Sequence, residues 1–200
     1  MNRAAFTNRH KVRGWKTQIR RVERWRQAHL TPDAAHLEHA DFDYCKLQID
    51  PWNRLIRRQP PMWLARNMIH GLLDIHEAWA AATPDAGYSC VWLCWPKLMD
   101  SQVVMAQGSR VEWYAGMFRP VAELGWAEPK GFPPQFGPAL LARLNAWEWQ
   151  ECLHEYPVDP ADISAGQLRK YPSTTLTTEG GASLTLLEVG RVWVGKRRAA

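Results

Sequence analysis

Residues 88–95 read Tyr-Ser-Cys-Val-Trp-Leu-Cys-Trp, and this stretch decides the fold. Almost every side chain in it is apolar, which predicts a central β-strand that is covered on both faces. Residues 103–106 predict a further strand, which neighbours the first across the short connection from Pro96 to Gln102. These two strands indicate a mixed fold in which helices pack on a small central sheet.

Two amphipathic helices are predicted on the N-terminal side of that strand. Residues 12–29 place apolar side chains three and four positions apart, and Lys16, Arg20 and Arg24 step along another strip of the same helix. Residues 62–82 show the same spacing after a pair of prolines, which favour the first turn of a helix. The predicted inward stripe of this second helix is Leu64, Met68, Leu72, Ile75 and Trp79.

Two shorter elements are predicted between those helices. Thr31, Pro32 and Asp33 supply an N-cap, a first helical position and an acidic first turn, so a short helix is predicted to end near Ala40. Apolar and polar side chains alternate from Phe42 to Ile49, which predicts a half-buried strand.

The C-terminal part of the chain is predicted to mix helix, loop and strand. A short helix is predicted from Ser109 to Phe118, and prolines and glycines make residues 125–138 a long irregular segment. A second helix is predicted from Ala139 to Tyr156. Two strands are predicted between Ser173 and Val194, joined by a turn at Gly180-Gly181.

Length and composition are those of an ordinary globular protein. The 200 residues are 46% hydrophobic and 22% charged, which excludes a disordered or fibrous chain. The prediction for residues 1–200 is therefore one α+β domain with a C-terminal β-hairpin. Within it, residues 10–120 form the core, and residues 125–138 connect it to a helix and strands in residues 139–200.

The cysteines and the hydropathy of the chain predict a cytoplasmic protein. The four cysteines follow no signal peptide, and no run of apolar residues is long enough to span a membrane. Reduced thiols are expected in that compartment. Twelve tryptophans are spread along the chain, which favours burial of most of them, while exposed ones are typical of binding surfaces.

The positive charge is concentrated in the first 30 residues, which hold nine basic side chains and one acidic side chain. The remaining residues carry slightly more acidic than basic groups. Because Trp15 and Trp25 fall on the apolar stripe of the first helix, its arginine-rich strip is expected to face outward. Three readings of that strip stay open: contact with nucleic acid, with an acidic protein, or with solvent alone.

One polar strip is a candidate for chemistry. His70, Asp74 and Glu77 share a face of the second long helix, where an imidazole and two carboxylates could hold a metal or transfer a proton. The same pattern is typical of a solvated helix face. His36 and His39 lack the spacing of a zinc protease helix, and no nucleophile elbow or phosphate-binding glycine loop occurs in the sequence. No metal, cofactor or catalytic residue is therefore predicted.

Cys90 and Cys94 lie four residues apart in the predicted central strand. Their side chains are expected on one face, but too far apart along an extended chain to form one disulfide. Two buried, unreactive thiols are the prediction.

Three short motifs follow one another along the chain: Lys11-Val12-Arg13-Gly14, Pro96-Lys97-Leu98-Met99-Asp100-Ser101-Gln102 and Trp113-Tyr114-Ala115-Gly116-Met117-Phe118. Their order resembles a bacterial family of unknown function, over about residues 10 to 120. The resemblance implies a strand, a helix and a hydrophobic strand before the second motif, and it assigns no activity. By analogy, small bacterial families of this kind are similar to immunity proteins, which neutralise a toxin by covering its active site.

The sequence thus favours a non-catalytic protein-binding protein, of the immunity type, with an acidic protein as its partner. A nucleic-acid-binding protein that uses the basic helix is the first alternative, and a hydrolase-type enzyme built on His70, Asp74 and Glu77 is the second. The oligomeric state is left open. The residues predicted to contact the partner are Arg13, Lys16, Arg20, Arg24, Pro96, Asp100, Ser101 and Gln102.

Overall fold

The computed structural model describes residues 15–31, 44–48, 60–96, 98–171, 173–177 and 180–198. Five α-helices and six β-strands lie within them. In chain order they are α1 Trp15–Leu30, β1 Tyr44–Gln48, α2 Met62–Ala82, β2 Tyr88–Trp95, β3 Gln102–Ala106, α3 Arg110–Ala115, α4 Pro138–Leu144, β4 Trp147–Val158, α5 Ala165–Lys170, β5 Ser173–Thr177 and β6 Ser183–Arg197.

The strands form one antiparallel sheet in the order β1-β3-β2-β6-β4, and β5 also pairs with β6. β6 is the longest strand and contacts three others. Its first half pairs with β4 and β5, and its second half pairs with β4 and β2. The predicted α+β fold is confirmed, including the C-terminal hairpin of β5 and β6 and the central position of Tyr88–Trp95.

One face of the sheet is covered by α2, and α1 packs on α2. The predicted stripe of α2 is buried throughout, and Leu72 and Ile75 are fully enclosed. This stripe packs on side chains from the sheet, including Leu93 of β2 and Trp193 of β6. The interface between α2 and the sheet is therefore the largest of the apolar cores in the described part of the chain.

The opposite face of the sheet is covered by α3 and the residues that follow it. Trp92 contacts Tyr114 with ring centroids 5.7 Å apart, and Phe118 with centroids 4.9 Å apart at nearly a right angle. Cys90 and Cys94 belong to the same cluster, so both predicted thiols are buried on one face. Coverage on both sides explains why the β2 sequence lacks an alternating pattern.

The predicted helix from Ala139 to Tyr156 is wrong beyond its first two turns. α4 ends at Leu144, and β4 begins three residues later. From Trp147 onward the chain pairs with β6, so its side chains alternate between the two faces of the sheet. Pairing with a distant strand overrides the local helical spacing here.

The other predicted elements differ less from the structure. The strand predicted from Phe42 to Ile49 is confirmed as β1, and the helix predicted from Ser109 to Phe118 is the shorter α3. The segment predicted to be irregular, residues 125–138, holds one short 3-10 turn and ends at Pro138, the first residue of α4; its other residues are irregular, as predicted. The short helix predicted from Thr31 lies largely outside the described residues.

Candidate functional site

The basic strip of α1, which we define as Lys16, Arg20 and Arg24, lies on the surface. All three side chains are exposed, whereas Val22 and Trp25 on the apolar stripe are buried. The Arg24 Nε atom donates to the Arg20 backbone oxygen within the helix, at 3.4 Å. Their exposure agrees with the sequence prediction. Arg13, the fourth predicted contact residue on this segment, lies outside the described residues.

α1 is held firmly against α2, which fixes the direction of the basic strip. The Trp25 ring packs over Gly71, where a Cβ atom would come within 2.9 Å of the Trp25 Cζ3 atom. The Trp79 Nε1 atom donates to the backbone oxygen of His29 at 2.9 Å. Gly71 and the Trp79 indole N–H, both on α2, thus join this helix to α1, which is far from it in sequence.

His70, Asp74 and Glu77 do lie together, but two arginines engage them. Asp74 forms ion pairs of 2.5 Å with Arg26 of α1 and with Arg143 of α4. Arg143 also lies 3.5 Å from the Glu77 carboxylate and donates to His70 Nδ1 at 3.1 Å. Burial is the main cause that lowers the pKa of His70, and Arg143 lowers it further. This geometry ties three helices together.

The described part of the chain holds no group of three or more His, Cys, Asp or Glu side chains placed to bind a metal ion. The Asp74 carboxylate is paired with Arg26 and Arg143, so these charges link α1, α2 and α4. The carboxylates of Asp74 and Glu77 already face guanidinium groups, so the hydrolase reading of these residues stays an untested prediction.

The connection between β2 and β3 places its predicted contact residues at different depths. The Ser101 side chain is fully buried, and its Oγ accepts a hydrogen bond from the Cys94 backbone N–H at 2.8 Å. Gln102 is only 7% exposed, whereas Pro96 and Asp100 are half-buried. Ser101 and Gln102 are thus buried beside the 3-10 turn Leu98–Asp100, which contacts β2, and the predicted role of these residues in partner contact stays a prediction.

Gln102 instead lines a cavity of about 470 Å³, which we call the Gln102 cavity. Trp92 and Cys94 of β2 lie beside Gln102, while Phe118 and Leu153 add apolar walls. The cavity therefore lies on the sheet face that α3 covers, opposite to α1.

Four ionisable side chains complete this cavity: Asp100, Arg119, His154 and Glu155. Burial lowers the pKa of His154, and the Asp100 carboxylate partly opposes that effect. Burial raises the pKa of Glu155, and Arg119 opposes this shift. The sequence prediction missed Arg119, His154 and Glu155. The alternating pattern that begins at Trp147 was the available signal, because it places His154 on a strand.

A larger cavity of about 670 Å³ lies beside β4 and is lined by aromatic rings, including Phe132 and Trp149. The Glu151 carboxylate, which also lines this cavity, accepts hydrogen bonds from the backbone N–H groups of Lys130 and Gly131 at 2.9 and 2.8 Å. This carboxylate therefore fastens the irregular segment to the sheet.

Two tryptophans among the described residues have exposed side chains. Trp113 of α3 is 53% exposed and Trp126 is 38% exposed. The Arg110 guanidinium lies 5.9 Å from the centre of the Trp113 ring, a cation–π contact at the surface. The sequence did not indicate which tryptophans are exposed.

Comparison of the chain with protein-family models, curated proteins and solved structures finds no match. The resemblance to a bacterial family of unknown function therefore stays a prediction. Among the described residues, no helix combines the length and apolar character needed to cross a bilayer.

Proposed function

We propose that this chain is a non-catalytic protein-binding protein that engages an acidic partner through the basic strip of α1. One observation carries the proposal. Lys16, Arg20 and Arg24 are exposed together on a helix whose other face is packed against α2. A basic surface held in one direction attracts an acidic protein at long range and speeds its association.

The partner class that we propose is an acidic protein surface, such as that of a bacterial toxin. An immunity protein would neutralise the toxin by covering it, which is an argument by analogy with small bacterial families. A cytoplasmic location belongs to the same proposal, since Cys90, Cys94 and Cys152 are free thiols.

Nucleic acid is the second candidate partner, because the same strip suits a phosphate backbone. Proteins that bind single strands usually add aromatic faces on which bases stack. Trp25 is 6% exposed and packed on α2, so it offers no such face. This burial favours the acidic protein over a nucleic acid.

The test compares two matched arginines. Arg24 and Arg169 are both exposed, and each donates its Nε to the backbone oxygen four residues earlier in its helix. A partner is first captured from a nuclease-treated native lysate, and its association rate is then measured by surface plasmon resonance at several salt concentrations. We expect Arg24→Glu alone to slow association at low salt, and Arg24→Glu together with Arg20→Glu to slow it by about tenfold. Arg169→Glu should leave the rate unchanged.

Unchanged association in the Arg20→Glu/Arg24→Glu variant would overturn the role of the basic strip. If a protein is captured from the untreated lysate but not from the nuclease-treated one, and the chain binds mixed DNA or RNA with an affinity that falls steeply with salt, the second candidate replaces the first.

A further inference from the structure

Helix α1 carries one carboxylate, Glu23, and it lies beside the basic strip. Residues three apart are neighbours on a helix surface, so Glu23 adjoins Arg20, and it also follows Lys16 by about two turns. The Glu23 side chain is 50% exposed. A ligand that covers the basic strip therefore also meets this carboxylate.

Neighbouring side chains hold the Glu23 carboxylate in a defined position. The Gln27 Nε2 atom donates to Glu23 Oε1 at 2.9 Å, and the Arg26 Nη1 atom lies 3.2 Å from the same oxygen. Both contacts come from the turn that follows Glu23. The carboxylate is therefore fixed at the edge of the strip.

The ion pair with Arg26 does not cancel the charge of Glu23, because Arg26 also pairs with Asp74. Arg143 and Glu77 belong to the same network of ion pairs. Among the described residues, this network thus holds two guanidinium groups and three carboxylates. One negative charge remains beside the basic strip.

A fixed carboxylate beside exposed cations acts differently on a nucleic acid and on a protein. Every phosphate of a nucleic acid is negative, so a strand that brings one phosphate to Arg20 brings others near Glu23, which repels them. A protein surface mixes both signs of charge. Its carboxylates can meet Arg20 and Arg24 while a cation meets Glu23, and like charges placed together suppress other partners.

We propose that Glu23 sets the selectivity of the basic strip. Its carboxylate repels phosphate backbones and pairs with a lysine or arginine of the acidic protein partner. The inference rests on the proposed function and deepens it, because it states that the partner surface carries a cation among its carboxylates.

The repulsion of nucleic acid is tested with a fluorescein-labelled thymidine oligomer of about ten nucleotides, whose dissociation constant is measured by fluorescence anisotropy at low salt. We expect Glu23→Gln to bind the oligomer at least about threefold more tightly than the unmodified protein. The change removes the repelling charge and keeps an acceptor for Gln27.

Glu112→Gln is the matched control. It removes the same charge from an exposed position on α3, which covers the opposite face of the sheet, and it should change the dissociation constant much less. Equal effects of the two substitutions would overturn the proposal. So would undetectable binding of the oligomer by both the unmodified protein and Glu23→Gln.

A triple variant locates the effect on α1. Adding Arg20→Glu and Arg24→Glu to Glu23→Gln should abolish the gain in oligomer affinity, because that gain depends on the basic strip. A gain that persists in the triple variant would place the oligomer elsewhere and contradict the proposal.

The captured protein partner supplies the last test. By surface plasmon resonance, Glu23→Gln should bind it at least about threefold more weakly, whereas Glu112→Gln should bind it like the unmodified protein. Unchanged or tighter binding by Glu23→Gln would overturn the pairing with a cation. Failure of the proposed function would instead appear as unchanged association in the Arg20→Glu/Arg24→Glu variant, and the oligomer experiment needs no partner.

Discussion

His76 shows how one buried side chain links folding to pH. It is 1% exposed between α2 and the sheet, with one ring nitrogen 2.8 Å from Ser89 Oγ and the ring 4.7 Å from that of Trp147. Burial is the main cause that lowers the pKa of His76 from 6.5 to about 4. The contact with Ser89 opposes the shift, and Arg197 adds to it.

The folded protein should therefore lose stability in mild acid. The pKa of His76 is lower in the folded state than in the unfolded state, so the unfolded chain takes up the proton first. The contribution of His76 to the stability of the folded protein is complete above the unfolded pKa of 6.5. It is lost as the pH falls towards the folded pKa of about 4. We expect a loss of about 2 kcal/mol in the unfolding free energy between about pH 7 and about pH 5.

Urea unfolding at both pH values, on the unmodified protein and on His76→Gln, checks this expectation. The unfolding free energy of the variant should depend less on pH, because His76 no longer titrates. Some dependence should remain from His70 and His154, whose pKa values are also lowered. An identical pH dependence in both proteins would show that His76 does not carry the effect.

At the scale of elements, the contact between α1 and α2 depends on the absence of a side chain at Gly71. Trp25 occupies the space beside that residue, and the ion pair between Arg26 and Asp74 flanks the same contact. The direction of the basic strip follows from this packing. A change at Gly71 should therefore affect both stability and the surface that α1 presents.

We expect Gly71→Ala to lower the unfolding free energy by about 1–2 kcal/mol. A helical Gly→Ala change usually gains about 0.5–1 kcal/mol, but here the new Cβ would lie 2.9 Å from Trp25 Cζ3 and force the indole to move. Gly166→Ala in α5 is the control, because its Cβ would meet only Ser164 Oγ, at 3.7 Å. Urea unfolding that shows equal or higher stability for Gly71→Ala would contradict this packing.

Elements set by local spacing could be predicted, and those set by distant pairing could not. The bounds of α2 agree with the prediction, because its apolar stripe and the prolines before it are local signals. The exposure of Lys16, Arg20 and Arg24 follows from the same periodicity. β4 was mistaken for helix because Leu140, Leu144 and Trp147 continue a helical spacing, while its partner β6 lies far along the chain.

The Gln102 cavity could not be predicted from the sequence either, because distant parts of the chain form it. Asp100 and Gln102 belong to a motif that the sequence singled out, but Arg119 and His154 reach them only through folding of the sheet. No spacing in the sequence brings these four residues together. The sequence did not predict the burial of Ser101 either, since this burial depends on the turn that follows β2.

At the scale of the whole molecule, three cysteines lie deep in the core on one face of the sheet. Cys90 and Cys152 are 0% exposed, and Cys94 is 4% exposed. Burial raises the pKa of Cys90 and of Cys152 to about 12, and it raises the pKa of Cys94 as well. Since the thiolate is the reactive form, these thiols should react only after the core opens.

A thiol-labelling experiment tests this prediction. In a Cys45→Ser background, which leaves only the three buried thiols, a disulfide reagent such as dithionitrobenzoate should not label the native protein. Under increasing urea, labelling should begin together with the change in tryptophan fluorescence, because both report loss of the same core. Rapid labelling of the native protein would mean that this face of the sheet opens on its own.

The pairing of β2 with β6 has a consequence for synthesis of the protein in the cell. Leu93 lies opposite Trp193, one hundred residues later in the chain. At about 5–20 residues per second, a ribosome completes β2 some 5–20 s before it completes the strand that covers its edge. During that interval the most apolar strand of the nascent chain is available to chaperones, or to the same strand of a neighbouring chain on the polysome.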